Sequence, residues 1–153
     1  MVASSGTDTH RPMRPEVRIG ANRVYAYDNT QNEIIASLKR GHCFVTSGPE
    51  IRFTAETENS KAGMGDLVKP GQLKLKMGWS VGLNGFDPFE LEAVLIKNNE
   101  TFGRWPCGEH KDYEFKTISK EADWFTLELR DQRGELHALS NPIFVGQQVG
   151  TWR

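Results

Sequence analysis

Gln72-Leu73-Lys74-Leu75-Lys76-Met77-Gly78-Trp79 alternates residue by residue. Leu73, Leu75, Met77 and Trp79 fall on one side, Lys74 and Lys76 on the other. A period of two marks a strand with one dry face and one wet face. The run before it, Glu50 to Glu56, repeats the pattern, with Ile51, Phe53 and Ala55 opposed to Arg52, Thr54 and Glu56. A polar loop holding Gly63, Gly65, Pro70 and Gly71 separates the two runs.

The same grammar continues downstream. Residues 81 to 90 read as a loop, and Leu91 to Lys97 as a nearly continuous apolar strand. Asn98-Asn99 suits a tight turn, with Thr101 to Trp105 as the returning strand. Lys111 to Ile118 carries Tyr113 and Phe115 in alternation, and Trp124 to Arg130 carries Phe125, Leu127 and Leu129. Asp131-Gln132-Arg133-Gly134 reads as a hairpin loop. Leu136 to Val145 reads as one last strand, in which Pro142 forces an edge position or a bulge.

Upstream, Cys43 to Ser47 is β-rich and is stopped by Gly48-Pro49. A single helix precedes it. Thr30 and Glu33 have the spacing of a reciprocal capping box. Ile34, Ile35 and Leu38 follow at helical spacing, and Gly41 suits the left-handed position after the last turn. Val24 to Tyr27 reads as a short extended run, and Pro12 and Pro15 forbid a continuous helix before it. The expected fold is mainly β: an antiparallel, immunoglobulin-like β-sandwich with one N-terminal helix. Residues 1–21 form an irregular N-terminal segment, 22–41 a short strand and linker helix, and 42–153 the sandwich domain.

Bulk properties narrow the function. The 153 residues carry a net charge of -1, so the chain has no global attraction for nucleic acid or an acidic membrane. No apolar run reaches the roughly 20 residues of a membrane helix. The first residues lack the pattern of a secretory signal, so the expected location is cytoplasmic. The same observation favours free thiols at Cys43 and Cys107 over a disulfide.

Side chains that could carry chemistry are sparse. Asp8 and His10, two apart, would share one face of an extended segment. Their oxygen and nitrogen donors suit zinc, manganese or iron, yet two ligands do not complete a shell. The alternative is a polar terminus without a metal role. His42, His110 and His137 show no metal spacing, and Cys107 with His110 is half a zinc site at most. Ser47 is not in a Gly-x-Ser-x-Gly elbow. No residue is assigned a catalytic role. Phe86, Phe89 and Trp105 lie in expected loops or at a strand end and are the candidate ligand contacts. Lys69, Lys74 and Lys76 make a basic stripe of the kind that discourages edge pairing.

Three fragments resemble one family. They are Ser5-Gly6-Thr7-Asp8-Thr9-His10, then Leu38-Lys39-Arg40-Gly41-His42-Cys43-Phe44-Val45-Thr46-Ser47-Gly48-Pro49, then Ala138-Leu139-Ser140-Asn141-Pro142-Ile143-Phe144-Val145. Gly65-Asp66 followed by Val68 adds to them. Together they resemble the C-terminal part of PHP-type metallohydrolases (the polymerase and histidinol phosphatase superfamily), in the CehA/McbA-like branch. The resemblance implies that Asp8 and His10 correspond to ligands at the end of a metal-binding barrel. It implies a divalent zinc, manganese or iron ion for the full-length family and none for the chain by itself. The family's earlier ligand-bearing strands have no counterpart in the sequence, so a fragment or a short derivative is expected. The expected function is a non-catalytic accessory β-sandwich of a metal-dependent phosphoesterase or amidohydrolase. Its partner would be the barrel, in cis or in trans, with homodimerisation over the exposed barrel-facing surface as a further expectation. The alternative is a stand-alone carbohydrate- or protein-binding module.

Overall fold

The computed structural model describes residues 2–6, 20–80, 87, 90–108 and 112–146. Among these the chain is mainly β, with one helix and two sheets built chiefly from antiparallel pairs.

The smaller sheet is organised by the alternating segment. Strand β6 (Gly71–Ser80) lies between β3 (Glu50–Glu56) and β9 (Asp112–Ser119), and β4 (Lys61–Gly63) extends the β3 edge. Register sets Phe53 opposite Met77, and Ala55 and Phe115 on either side of Leu75. Every second residue therefore enters the core, and Leu73, Leu75 and Met77 are buried.

The larger sheet contains β1 (Ala21–Val24), β2 (Cys43–Thr46), β5 (Leu67–Val68), β7 (Leu91–Lys97), β8 (Glu100–Pro106), β10 (Trp124–Asp131), β11 (Leu136–Ser140) and β12 (Ile143–Val145). Its Leu95, Phe125, Leu127, Leu129 and Ile143 are fully buried and join the smaller sheet's Ile51, Phe53 and Leu75 in one apolar cluster. Each such side chain contributes roughly 1.5–3 kcal/mol of burial. Asn98 and Asn99 both have positive φ, the conformation that closes β7 onto β8 in a tight hairpin.

The expected final strand is interrupted. β11 ends at Ser140 and β12 begins at Ile143, with Asn141-Pro142 between them. Both halves pair with β10, but β11 has β2 on its other side whereas β12 has β5, in parallel. Pro142 has no N–H for a ladder, so the chain changes partners where the ladder would fail. Two further differences concern short pieces. The loop from Gly63 to Gly71 is bounded and crossed by β4 and β5, and the early extended run ends in β1 at Val24.

Helix α1 (Gln31–Arg40) ends as its sequence predicts: Gly41 is left-handed, its N–H donates to the Leu38 carbonyl, and the His42 N–H donates to that of Ser37. Its start is only half of a capping box. Thr30 Oγ1 accepts from the Glu33 N–H, but the Thr30 N–H donates to Asp28 Oδ1 at 2.8 Å. The Glu33 carboxylate turns to Ser37 and Arg40 instead.

Candidate functional site

The motif-bearing fragments meet in space. Asn141, fully buried, donates through Nδ2 to the Cys43 carbonyl at 2.9 Å, and its Oδ1 accepts from the Ala3 N–H at 2.7 Å. Ser5 and Asn22 exchange a second pair, Ser5 N–H to Asn22 Oδ1 at 2.9 Å and Asn22 Nδ2 to the Ser5 carbonyl at 3.0 Å. The stretch before Gly6 is thereby laced to the junction of β2, β11 and β12. Gly41 and Gly65 press together at the same junction, and the Gly65 N–H donates to the Pro142 carbonyl at 2.8 Å. Next to them His42 Nε2 meets Asp66 Oδ1 at 2.8 Å, and Asp66 Oδ2 accepts from the Gly63 N–H at 2.9 Å. These contacts are architectural: they satisfy buried polar groups and close turns.

Asp8, His10, Phe86, Phe89 and His110 lie outside the described residues. Trp105 is half-buried. It packs against Tyr113 and Phe115, both at 5.9 Å between ring centroids, and its ring covers Gly103. Phe102 meets Phe115 edge-on at 5.3 Å. These rings close the flank where β8 of one sheet approaches β9 of the other. Cys43 and Cys107 are free and buried. Burial pushes the Cys107 thiol up to about 12, with the Glu92 carboxylate adding to it. That is the environment of an inert thiol.

The two sheets carry different side chains on their outer faces. On the smaller sheet, Lys76 meets Glu56 at 2.8 Å and Glu114 at 3.7 Å, while Lys74 meets both at 3.9 Å. This solvated lattice of ion pairs suits water. On the larger sheet, Val94, Thr126 and Phe144 are buried although they lie outside the core cluster. With Ile96, Trp124 and Leu139 they line a depression of about 860 Å³ that Arg104, Glu128 and Arg130 also line and that reaches Ala3 and Pro142.

A polar cluster that sequence reading missed sits where β10 turns into β11. Asp131 Oδ2 lies 3.3 Å from His137 Nε2, and Glu135 is close by. Glu135 and His137 are two apart in sequence, but β11 begins only at Leu136 and its register with β10 shifts at His137, so no strand period marks the pair. Asp131 reaches them only across the hairpin, which spacing alone does not reveal. Among the described residues no helix is long and apolar enough to cross a membrane.

No protein-family model matches the chain, and no curated protein matches it. Among solved structures, the chain is similar to the PmoD soluble domain from Methylocystis sp. ATCC 49242 (Rockwell), with 13% identity and a TM-score of 0.41 over 63% of this chain and 90% of that one.

Proposed function

We propose that this chain is the non-catalytic accessory β-sandwich, immunoglobulin-like in kind, of a PHP-type metal-dependent hydrolase, and that it docks on the barrel through the outer face of its larger sheet. The observation that carries this reading is the apolar patch on the outer face of the larger sheet. The smaller sheet's outer face is covered by paired charges, while that of the larger sets Ile96, Trp124 and Leu139 around buried Val94 and Phe144, with the ion pairs Glu92–Arg104 and Glu128–Arg130 beside them. A contiguous apolar face rimmed by polar groups is the signature of a surface meant for a partner. The Ala3–Asn141 tether sits on the rim of that same face. Asp8 follows Ala3 by five positions in sequence.

The sandwich would shape the mouth of the active site, and the barrel would supply a metal-activated water. Asp8 and His10 offer one oxygen and one nitrogen donor, too few to close a metal shell, so no catalytic step is assigned to this chain. Trp105 would have to leave its packing on Tyr113 and Phe115 to serve a glycan, which favours the accessory role over a stand-alone carbohydrate- or protein-binding module.

The test is turnover of phosphodiester and amide substrates by the purified chain, by a CehA/McbA-like barrel lacking its sandwich, and by the two mixed. The chain alone should be inactive, and the mixture should show an altered KM relative to the barrel. Chelator-sensitive turnover by the chain alone, or a barrel whose kinetics ignore the chain, would overturn the reading.

A further inference from the structure

We propose that Asp131, Glu135 and His137 bind one divalent transition-metal ion of the zinc class at the hairpin between β10 and β11. This site is independent of Asp8 and His10 and of the docking reading.

The three side chains each offer a ligand atom, and all three atoms lie within 4.8 Å of one another. The 3.3 Å between Asp131 Oδ2 and His137 Nε2 matches the spacing of two ligands each about 2 Å from one zinc ion. Both side chains are well shielded, at 13% exposure for His137 and 22% for Asp131.

The ligand atoms are aimed by contacts made elsewhere on the same groups. Asp131 Oδ1 accepts from the N–H groups of Arg133 and Glu135, both at 2.9 Å, which turns Oδ2 toward His137. His137 Nδ1 lies 3.3 Å from Ser47 Oγ, and Ser47 also donates to the His137 carbonyl at 3.3 Å. The tautomer with its proton on Nδ1 donates to Ser47 and presents Nε2 to an ion, and a histidine ligand is oriented in this way through its second nitrogen. In the ion-free chain the other tautomer joins Nε2–H to Asp131 Oδ2, and a bound metal ion takes the place of that proton.

The surrounding charges leave room for the metal. Arg130 is turned away, with Nε on Glu128 at 2.7 Å and Nη1 on the Gly134 carbonyl at 2.6 Å. Among the described residues Glu135 has no ion-pair partner, and its exposed carboxylate is free to close on an ion from the solvent side. One nitrogen and two oxygen donors leave at least one position for water, as in open zinc sites.

The experiment is zinc titration of the untagged full chain by competition with a chromophoric chelator. An Asp8→Ala/His10→Ala variant removes the other candidate ligands. One zinc per chain is expected in both proteins. Glu135→Gln, at an exposed position that leaves the fold intact, should weaken binding at least tenfold, and His137→Ala should abolish it. Ser47→Ala, which removes the hydroxyl beside Nδ1, should cost about tenfold. In ¹⁵N spectra, zinc should move His137 Nε2 far more than Nδ1. No saturable zinc in the parent chain, or zinc that persists unchanged in Glu135→Gln and His137→Ala, would overturn the site and leave an ordinary hydrogen bond between His137 and Asp131.

Discussion

Ala3 and Asn141, 138 positions apart in sequence, are joined by a 2.7 Å hydrogen bond from the Ala3 N–H to the Asn141 side-chain oxygen. The same amide holds the Cys43 carbonyl through its nitrogen. One buried side chain therefore spans the break between β11 and β12 and fastens the N-terminal stretch to the sheet. Asn141→Ala should leave these groups unmatched and cost about 1–3 kcal/mol. Urea denaturation measures the loss, and faster hydrogen exchange at the Ala3 amide marks release of the tether. An unchanged midpoint with unchanged exchange would contradict this role.

Gly65 and Gly134 make a paired test of crowding. Both have φ near the left-handed region, at 86° and 81°. A Cβ on Gly134 meets nothing within 4 Å, whereas one on Gly65 collides with the Arg40 carbonyl oxygen and the Gly41 backbone. Gly134→Ala should cost only the conformational penalty of about 1–2 kcal/mol. Gly65→Ala adds the collision with backbone that cannot yield, a further ~1–3 kcal/mol or loss of the fold. Thermal melts of the two variants should separate clearly, and equal melting temperatures would refute the close approach.

Stability should fall in acid, with Asp123 as one named contributor. Burial pushes its carboxyl up, but the Lys120 N–H, the Lys97 ammonium at 2.9 Å and the Asn98 amide at 2.8 Å outweigh it. The folded carboxyl is therefore held below its unfolded value of about 3.9. A depressed acid contributes stability that is full above the unfolded pKa and is lost as pH falls through the folded one. Between pH 5 and the acid limit, Asp123→Asn should flatten the dependence of the unfolding free energy on pH. A slope identical to that of the parent would show that the contacts do not discriminate the charged form.

Neither cysteine should react in the native protein. Burial raises both thiols, Cys107 to about 12, and Asn141 only partly offsets the shift at Cys43. A thiol-specific disulfide reagent at pH 8 should report no fast-reacting group before denaturant and two after it. Rapid native labelling would show that the core around β2 or β8 opens readily.

Local pattern exposed most of the architecture. Leu73, Leu75 and Met77 announced β6 because period two has no other stable solution on a half-buried sheet. Thr30 and Gly41 announced the helix ends because orphaned backbone groups there need those residue types. What local pattern could not expose is pairing. β4 and β5 are too short to show a period. Pro142 signals a disturbed ladder, but the switch from β2 to β5 depends on strands far away in sequence. The same limit hid the hairpin cluster, since Asp131 and His137 become neighbours only once β10 and β11 pair. The apolar outer face was hidden for a related reason: Val94 and Leu95 are both buried, on opposite sides of one strand, and a continuous apolar run does not say which side is core.

The most direct measurement is the affinity of the chain for a CehA/McbA-like barrel deprived of its own sandwich, with one charge placed on each outer face in turn. Leu139→Lys sets a charge on the larger sheet opposite Glu128, where the fold can tolerate it. Lys74→Glu alters the ion-paired face of the smaller sheet. The expected result is a one-to-one complex that survives Lys74→Glu and is lost on Leu139→Lys. No complex, or one that both variants leave untouched, would contradict the assignment of that face.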